Sequence, residues 1–221
     1  MSLPFKAAAL TTGLGGAASA GLGGAYFNSK ETIGSKLGDD VLGKDNSFNE
    51  SWKNQKSKLD KEQDDLKGFP KLSLIKKNSN TEQAWIELRD WCSDSYSFTY
   101  KSIFSKEDNS RLNLTKKYCI QAIKERLEAL YTGGNKKVLD VTGNTDQNEF
   151  ISNYKKLKTH NEDTDGKLTG SLAGINKSNA ESEANTHWSK VKEWCSSIHG
   201  KPFKGSDNVF KLAEKLCVKA S

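Results

Sequence analysis

An internal duplication constrains this chain more than any other feature. Trp85, Trp91 and Cys92 form the pattern Trp-x5-Trp-Cys, and the same pattern recurs 103 residues later. The aligned pairs keep nearly that displacement: Trp85 with Trp188, Trp91 with Trp194, Cys92 with Cys195, Cys119 with Cys217, Phe48 with Phe150, Trp52 with Tyr154, and Phe104 with Phe203. All five Trp and all four Cys fall inside this alignment. Because both residue types are rare, their shared order indicates a tandem repeat.

Each copy has the apolar period of three helices. Trp85, Leu88 and Cys92 stand at i, i+3 and i+7, on one helical face, and the second copy uses the equivalent positions. The third helix of copy one is expected to run from Leu112 to Leu130. The sequence therefore predicts a mainly α protein, with an N-terminal membrane-spanning helix followed by two tandem, duplicated three-helix bundles. The predicted segments are a membrane anchor or signal segment at 1–27, a flexible stalk at 28–44, helical repeat 1 at 45–131, a linker at 132–145 and helical repeat 2 at 146–221.

The N-terminal segment has the pattern of a membrane helix. No charged residue stands between Lys6 and Lys30. A helix from Ala7 to Phe27 would be about 30 Å long, which matches a bilayer core. Only three Leu contribute strong hydrophobicity, so a cleaved signal peptide with an Ala-Ser-Ala site at 18–20 is the nearest alternative. A flexible Gly/Ala tail is the third interpretation. The lipid bilayer is the expected partner of this segment.

The four Cys predict one disulfide in each copy. Pairing Cys92 with Cys119 and Cys195 with Cys217 preserves the duplication, whereas crossed pairings would join the two copies. Each bridge would add about 3 kcal/mol, partly by restricting the unfolded chain. Disulfides require an oxidising compartment, which agrees with an N-terminal membrane signal. Free buried thiols are the alternative.

The aromatic residues of the repeat are predicted to form the core. Small helical bundles need large anchors because their cores are thin. The functional alternative makes the Trp-Cys pairs a binding platform or a redox centre, but the chain has no Cys-x-x-Cys motif. The predicted structural core residues are Trp52, Trp85, Trp91, Tyr154, Trp188 and Trp194.

The positive charge does not predict a nucleic-acid site. The net charge is +6, but only Arg89, Arg111 and Arg126 are Arg among 34 basic residues. Bidentate phosphate and guanine contacts favour Arg, and the Lys pairs here are short and scattered. A solvated Lys-rich surface is the favoured interpretation.

The sequence has no recognisable catalytic or phosphate-binding motif. It contains no Gly-x-Ser-x-Gly, His-Glu-x-x-His or phosphate loop. A zinc set could be drawn from His187, Cys195, His199 and Cys217, but copy one has no equivalent His. A loop beginning at Asn161 resembles the start of a calcium loop without the final Glu. We therefore predict no catalytic residue, no metal site and no cofactor, and do not expect an enzyme.

The segment Ala-Leu-Thr-Thr-Gly-Leu-Gly-Gly-Ala at 9–17, together with the Trp-Cys helices, carries a family resemblance. The chain resembles the uncharacterised paralogous membrane or surface protein families of haemotropic mycoplasmas. These families begin with a Lys-bearing, Ala/Gly-rich segment and continue as Lys/Asn-rich helical chains. The resemblance is close over residues 1–27 and extends to the remainder in composition and Trp-Cys pairs. It implies a parasite membrane protein exposed to the host, and it supplies no catalytic or binding residues.

The leading hypothesis is a membrane-anchored, non-enzymatic surface protein whose C-terminal part is extracellular. Its expected role is host interaction or antigenic display, with a host protein of unidentified kind as partner. The alternative is a cytoplasm-facing, membrane-tethered module that binds nucleic acid or another partner. The charges flanking the N-terminal segment do not determine its orientation, and the sequence does not predict an oligomeric state.

Overall fold

Helices dominate the structure, and the predicted mainly α class is confirmed. The computed structural model describes residues 29–63, 66–134 and 136–219, so the predicted membrane helix at 1–27 lies outside the described residues. In chain order the described α-helices are α1 (Ile33–Leu37), α2 (Asn49–Asp60), α3 (Pro70–Lys77), α4 (Thr81–Ser97), α5 (Asn109–Cys119), α6 (Ile123–Leu130), α7 (Gln147–Lys155), α8 (Glu162–Asp165), α9 (Ala180–His187), α10 (Ser189–His199) and α11 (Asn208–Leu216). The strands are β1 (Glu31–Thr32), β2 (Thr99–Lys101), β3 (Lys137–Val138) and β4 (Val218–Lys219).

The chain forms two compact units whose limits differ from those of the sequence repeats. Of the described residues, unit 1 contains 29–41, 63 and 66–119, and unit 2 contains 42–62, 120–134 and 136–219. Helices α2 and α6, which the sequence places in repeat 1, therefore pack within unit 2. The described part of each unit contains a small antiparallel sheet, β1 with β2 in unit 1 and β3 with β4 in unit 2.

The segment expected to be a flexible stalk is folded into unit 1. Ile33 is completely buried, and its backbone N–H donates to the Phe98 carbonyl at 2.9 Å. Thr32 caps α1 through its side chain, which accepts from the Ser35 N–H. A Cβ at Gly34 would lie 2.6 Å from the Tyr96 ring, so glycine is what allows α1 to approach α4 this closely. The stalk prediction was therefore wrong for residues 29–41.

Helix α4 is the centre of unit 1. It packs against α1, α3 and α5. Its buried face carries Leu88, Trp91 and Cys92, on the helical period that the sequence indicated. Asn80 begins the helix by accepting from the Gln83 N–H, as an N-cap residue does. Pro70 begins α3 at a position where no backbone donor is needed.

Helix α10 has the corresponding position in unit 2. It packs against α6, α7 and α11. The core aromatic rings include Phe203, whose centroid lies 5.8 Å from that of Phe48 and 4.7 Å from that of Phe210. Asp207 caps α11 by accepting from the Phe210 N–H.

The third helix expected in copy one is interrupted between α5 and α6. Residues 120–122 leave the helix and pair with the segment around Pro202. The Phe203 N–H donates to the Gln121 carbonyl at 2.7 Å, and the Ile123 N–H donates to the Lys201 carbonyl at 2.9 Å. In a continuous helix, the Gln121 carbonyl and the Ile123 N–H would bond within the helix and could not pair with the segment around Pro202. The long-range bonds therefore override the local helical period.

Candidate functional site

The structure joins the four Cys in the two pairs that preserve the duplication. Cys92 is bonded to Cys119 in unit 1 and Cys195 to Cys217 in unit 2, each with a Cα–Cα distance of 5.6 Å. All four residues are buried. Thiol–disulfide exchange requires access to a sulfur atom, so buried bridges of this kind suit a structural role.

The predicted aromatic core residues do not share one environment. Five of them are buried: Trp52, Trp85, Trp91, Tyr154 and Trp194. Trp188 is only partly buried, and its ring stacks on Phe150 with 6.4 Å between centroids. The Trp188 main chain also separates α9 from α10. The equivalent Trp85 is buried and lies inside the unbroken α4.

In each copy a buried side-chain amide binds the backbone near the point where the chain leaves the disulfide. Both of these amides lie in unit 2. Asn153 Nδ2 donates to the carbonyls of Leu216 and Val218 at 2.8 and 3.1 Å. Gln55 Nε2 donates to the Ile120 carbonyl at 3.0 Å. Ile120 and Val218 are the residues that follow the second Cys of each pair. In both copies an amide on the first helix therefore holds the chain where it leaves the disulfide.

Replacing Asn153 with Leu is expected to lower the free energy of unfolding by about 2 kcal/mol, because two buried carbonyls lose their shared donor. The matched change Gln55→Leu is expected to cost about 1 kcal/mol. It breaks one bond and removes a buried Oε1 that has no hydrogen-bond partner within the described part of the chain. Urea unfolding of the full chain in a non-ionic detergent, followed by circular dichroism, measures both. A larger loss for Gln55→Leu than for Asn153→Leu would contradict this interpretation.

All three Arg lie over aromatic rings. The guanidinium-to-centroid distances are 5.7 Å for Arg89 over Trp85, 4.1 Å for Arg111 over Phe98 and 5.6 Å for Arg126 over Phe203. Arg111 also donates to the Ser95 hydroxyl at 3.1 Å. Cation–π stacking of this kind is a packing interaction. Each of the three guanidinium groups therefore packs against a ring of its own unit.

His199 is a buried titratable residue in unit 2. Neither ring nitrogen has a hydrogen-bond partner among the residues that the structure describes. Burial, with a smaller contribution from the positive charge of Lys124, lowers the pKa of His199 to about 4. The imidazole is therefore neutral at pH 7, and its protonation is resisted by the fold.

Unit 2 is expected to lose stability as the pH falls from 6.5 to 4. The unfolded chain takes up a proton at His199 near pH 6.5, whereas the folded chain does so only near pH 4. At a pH below both pKa values, this difference lowers the free energy of unfolding by about 3 kcal/mol. Above pH 6.5 both states leave His199 neutral, and no stability is lost. Unfolding free energies between about pH 7.5 and pH 4.5 measure the slope, which His199→Leu should reduce. His187→Leu, at a partly exposed position of the same unit, is the matched control for replacing a His with Leu. An equal slope in wild type and His199→Leu would refute the assignment.

Several of the residues considered for metal binding take part in other interactions. Cys195 and Cys217 form a disulfide and cannot act as thiolate ligands. Asn161 Oδ1 accepts from the Asp163 N–H at the start of α8. Lys215 donates to Asp165 Oδ2 at 2.7 Å and is the main cause that lowers the Asp165 pKa to about 2. Over 29–63, 66–134 and 136–219, no group of three or more His, Cys, Asp or Glu is placed to hold a metal.

The best candidate for an external contact is a shallow groove on unit 1, of about 700 Å³. Phe98 and Phe104 provide its apolar walls, and Lys106 and Asp108 line it together with three hydroxyl side chains. Phe104 is 70% exposed, and its neighbour Ile103 is 50% exposed. A groove of this composition can bind apolar groups, and it contains no arrangement that indicates bond chemistry.

The sequence alignment did not predict this exposed turn. It paired Phe104 with Phe203, which is buried in unit 2. The signal that could have found it is the change in displacement, from 103 at Cys92 to 99 at Phe104. Copy one therefore has four extra residues between Cys92 and Phe104, and extra residues of a repeat commonly form loops.

Comparison with known proteins adds no assignment. No protein family model matches the chain, and no curated protein or solved structure is significantly similar to it. Within the part of the chain that the structure describes, no helix has both the length and the apolar character needed to cross a membrane.

Proposed function

We propose that this protein is a non-enzymatic surface protein, anchored in the cell membrane by residues 7–27, with its C-terminal part outside the cell. It displays two compact helical units, built from a chain with an internal duplication, that serve host interaction or antigenic display. Its relatives, on this proposal, are the paralogous surface proteins of haemotropic mycoplasmas. The partner outside the cell is a host protein.

The observation that carries this proposal is the presence of one buried disulfide in each unit. Disulfides persist in oxidising environments and are rare in reducing cytosol. An uncharged, Ala/Gly/Leu-rich segment of about bilayer length precedes the folded units. A single passage of this segment through the membrane would place the disulfide-bonded units in the oxidising exterior. The stacking of all three Arg on rings favours this function over a nucleic-acid module.

Labelling of intact cells that express the full chain tests the proposal. A membrane-impermeant amine reagent should modify Lys residues of both units before lysis, and the protein should stay in the pellet after alkaline carbonate extraction. Labelling only after lysis would overturn the extracellular orientation. Recovery of the full chain in the soluble cytosol would overturn the anchor.

A matched pair of variants makes the anchor test sharper. Because the segment is only marginally hydrophobic, one charge at its centre, costing about 3 kcal/mol, is expected to release the protein from the membrane. Leu14→Lys should therefore appear in the soluble fraction, whereas the control Leu14→Ile should be retained. Equal retention of both variants would show that residues 7–27 do not anchor the chain.

A further inference from the structure

The turn formed by Ser102–Ser105 presents two large apolar side chains to the surface of unit 1. Ile103 is 50% exposed and Phe104 is 70% exposed. Phe98, at the base of the turn, is 41% exposed and faces the same groove as Phe104. Adjacent apolar residues at a turn are costly in water unless another surface covers them.

The backbone N–H groups of this turn are hydrogen-bonded within the chain. The N–H groups of Ser102 and Ser105 donate to each other's carbonyls, at 3.4 and 3.2 Å. The Phe104 N–H donates to the Ser102 hydroxyl at 3.2 Å, and the Ile103 N–H donates to the Ser29 hydroxyl at 3.3 Å. All four N–H groups of the turn thus have acceptors within the chain. An apolar medium penalises unsatisfied backbone donors, so the N–H groups of this turn do not oppose its entry into one.

The turn lies beside the point at which the N-terminal segment enters unit 1. Glu31 pairs with Lys101 in the β1–β2 sheet, which brings Ser29 opposite Ile103. Only one residue separates Ser29 from the end of the apolar segment at Phe27. Two residues of chain span at most about 7 Å. A membrane passage that ends at Phe27 therefore places Ile103 and Phe104 at the level of the bilayer interface.

The charges around the turn balance. The three lysines near it are offset by three acidic side chains on the same two segments, 29–32 and 101–108. Lys101 and Glu107 form an ion pair at 3.2 Å. A balanced surface has no preference for acidic headgroups, so attraction to the surface would come from the apolar side chains.

We infer that the Ser102–Ser105 turn is a second membrane contact, with Ile103 and Phe104 inserted into the interfacial region of the lipid bilayer beside the anchor. This inference rests on the proposed membrane anchoring. It assigns a fixed orientation to unit 1, whose β1–β2 edge faces the lipid. The contact is apolar, and it is insensitive to salt and to the fraction of acidic lipid.

Photocrosslinking of the full chain in lipid vesicles tests the contact. A benzophenone amino acid replaces Phe104 in one variant and Leu74 in the other, a control position on α3 that is 68% exposed. Both variants are reconstituted into phosphatidylcholine vesicles, with and without phosphatidylglycerol, at low and high salt. We expect lipid adducts at position 104 to be several times more abundant than at position 74, with equal yields in all four conditions.

Flotation of the same vesicles separates the two proposals. Protein that floats but forms no more lipid adduct at 104 than at 74 would overturn the turn contact while leaving the anchor intact. A crosslink from position 104 to residues 1–28 or to a second copy, in place of lipid, would also overturn it. Protein that does not float would overturn the proposed anchoring itself.

Discussion

Replacing Cys195 and Cys217 together with Ala is expected to lower the free energy of unfolding by about 3 to 4 kcal/mol. The bridge closes a loop of 22 residues within unit 2, and its loss gives the unfolded chain more conformations. Both residues are buried, so the shorter side chains also remove core contacts. Urea unfolding of the full chain in a non-ionic detergent, followed by circular dichroism, gives the difference.

The unit 1 disulfide is the matched comparison. Cys92 and Cys119 are 27 residues apart, so the expected loss for Cys92→Ala with Cys119→Ala differs by only about 0.2 kcal/mol from that of the other pair. Wild type that is reduced while unfolded should refold with lower stability in both units. Unfolding that is unchanged in both double variants would show that the bridges do not stabilise the protein.

The change Trp52→Ala is expected to cost about 3 to 5 kcal/mol, as large-to-small changes of buried aromatic residues do. Trp52 is the largest of the fully buried side chains among the described residues, and its Nε1 donates to the Gly43 carbonyl at 2.8 Å. The substitution therefore creates a cavity and leaves that carbonyl without its donor. The unfolding free energy, again from circular dichroism, measures the loss.

Trp188→Ala provides a control of the same chemistry in the same unit. Trp188 is only partly buried and stacks on a single ring, so we expect its loss to cost about 1 to 2 kcal/mol. Equal destabilisation by both substitutions would contradict the difference in packing that the structure assigns to the two residues.

The local features of the fold were predictable from the sequence. Leu88 and Cys92 stand on the period of a helix, and α4 forms there. The disulfide pairs followed from keeping the two copies equivalent. The folded segment at 29–41 also had a local signal, since Ile33 and Leu37 lie one helical turn apart behind a Thr-x-x-Ser cap. That signal was hidden by the polar composition of the surrounding residues.

The long-range features were not predictable. The membership of α2 in unit 2 depends on contacts such as the bond from Gln55 to the Ile120 carbonyl, 65 residues away. The break between α5 and α6 depends on pairing with the segment around Pro202. Neither is encoded in the apolar period of the helix itself. Tertiary hydrogen bonds and packing override local preference at such positions.

The exposed turn shows the limit of the repeat as a guide to function. A duplication predicts where two copies are alike, and Phe104 and Phe203 were aligned on that basis. Their surroundings differ because copy one has extra residues there, which carry Phe104 to the surface of unit 1. The candidate contact surface therefore lies where the two copies diverge.

The most direct test of an extracellular, disulfide-bonded surface protein is the redox state of its four Cys in the cell. Protein is taken from native membranes with thiols trapped at lysis, and its peptides are mapped without reduction. We expect Cys92 linked to Cys119 and Cys195 linked to Cys217, as the structure joins them. Four trapped free thiols would contradict this account and would place the folded units in a reducing compartment.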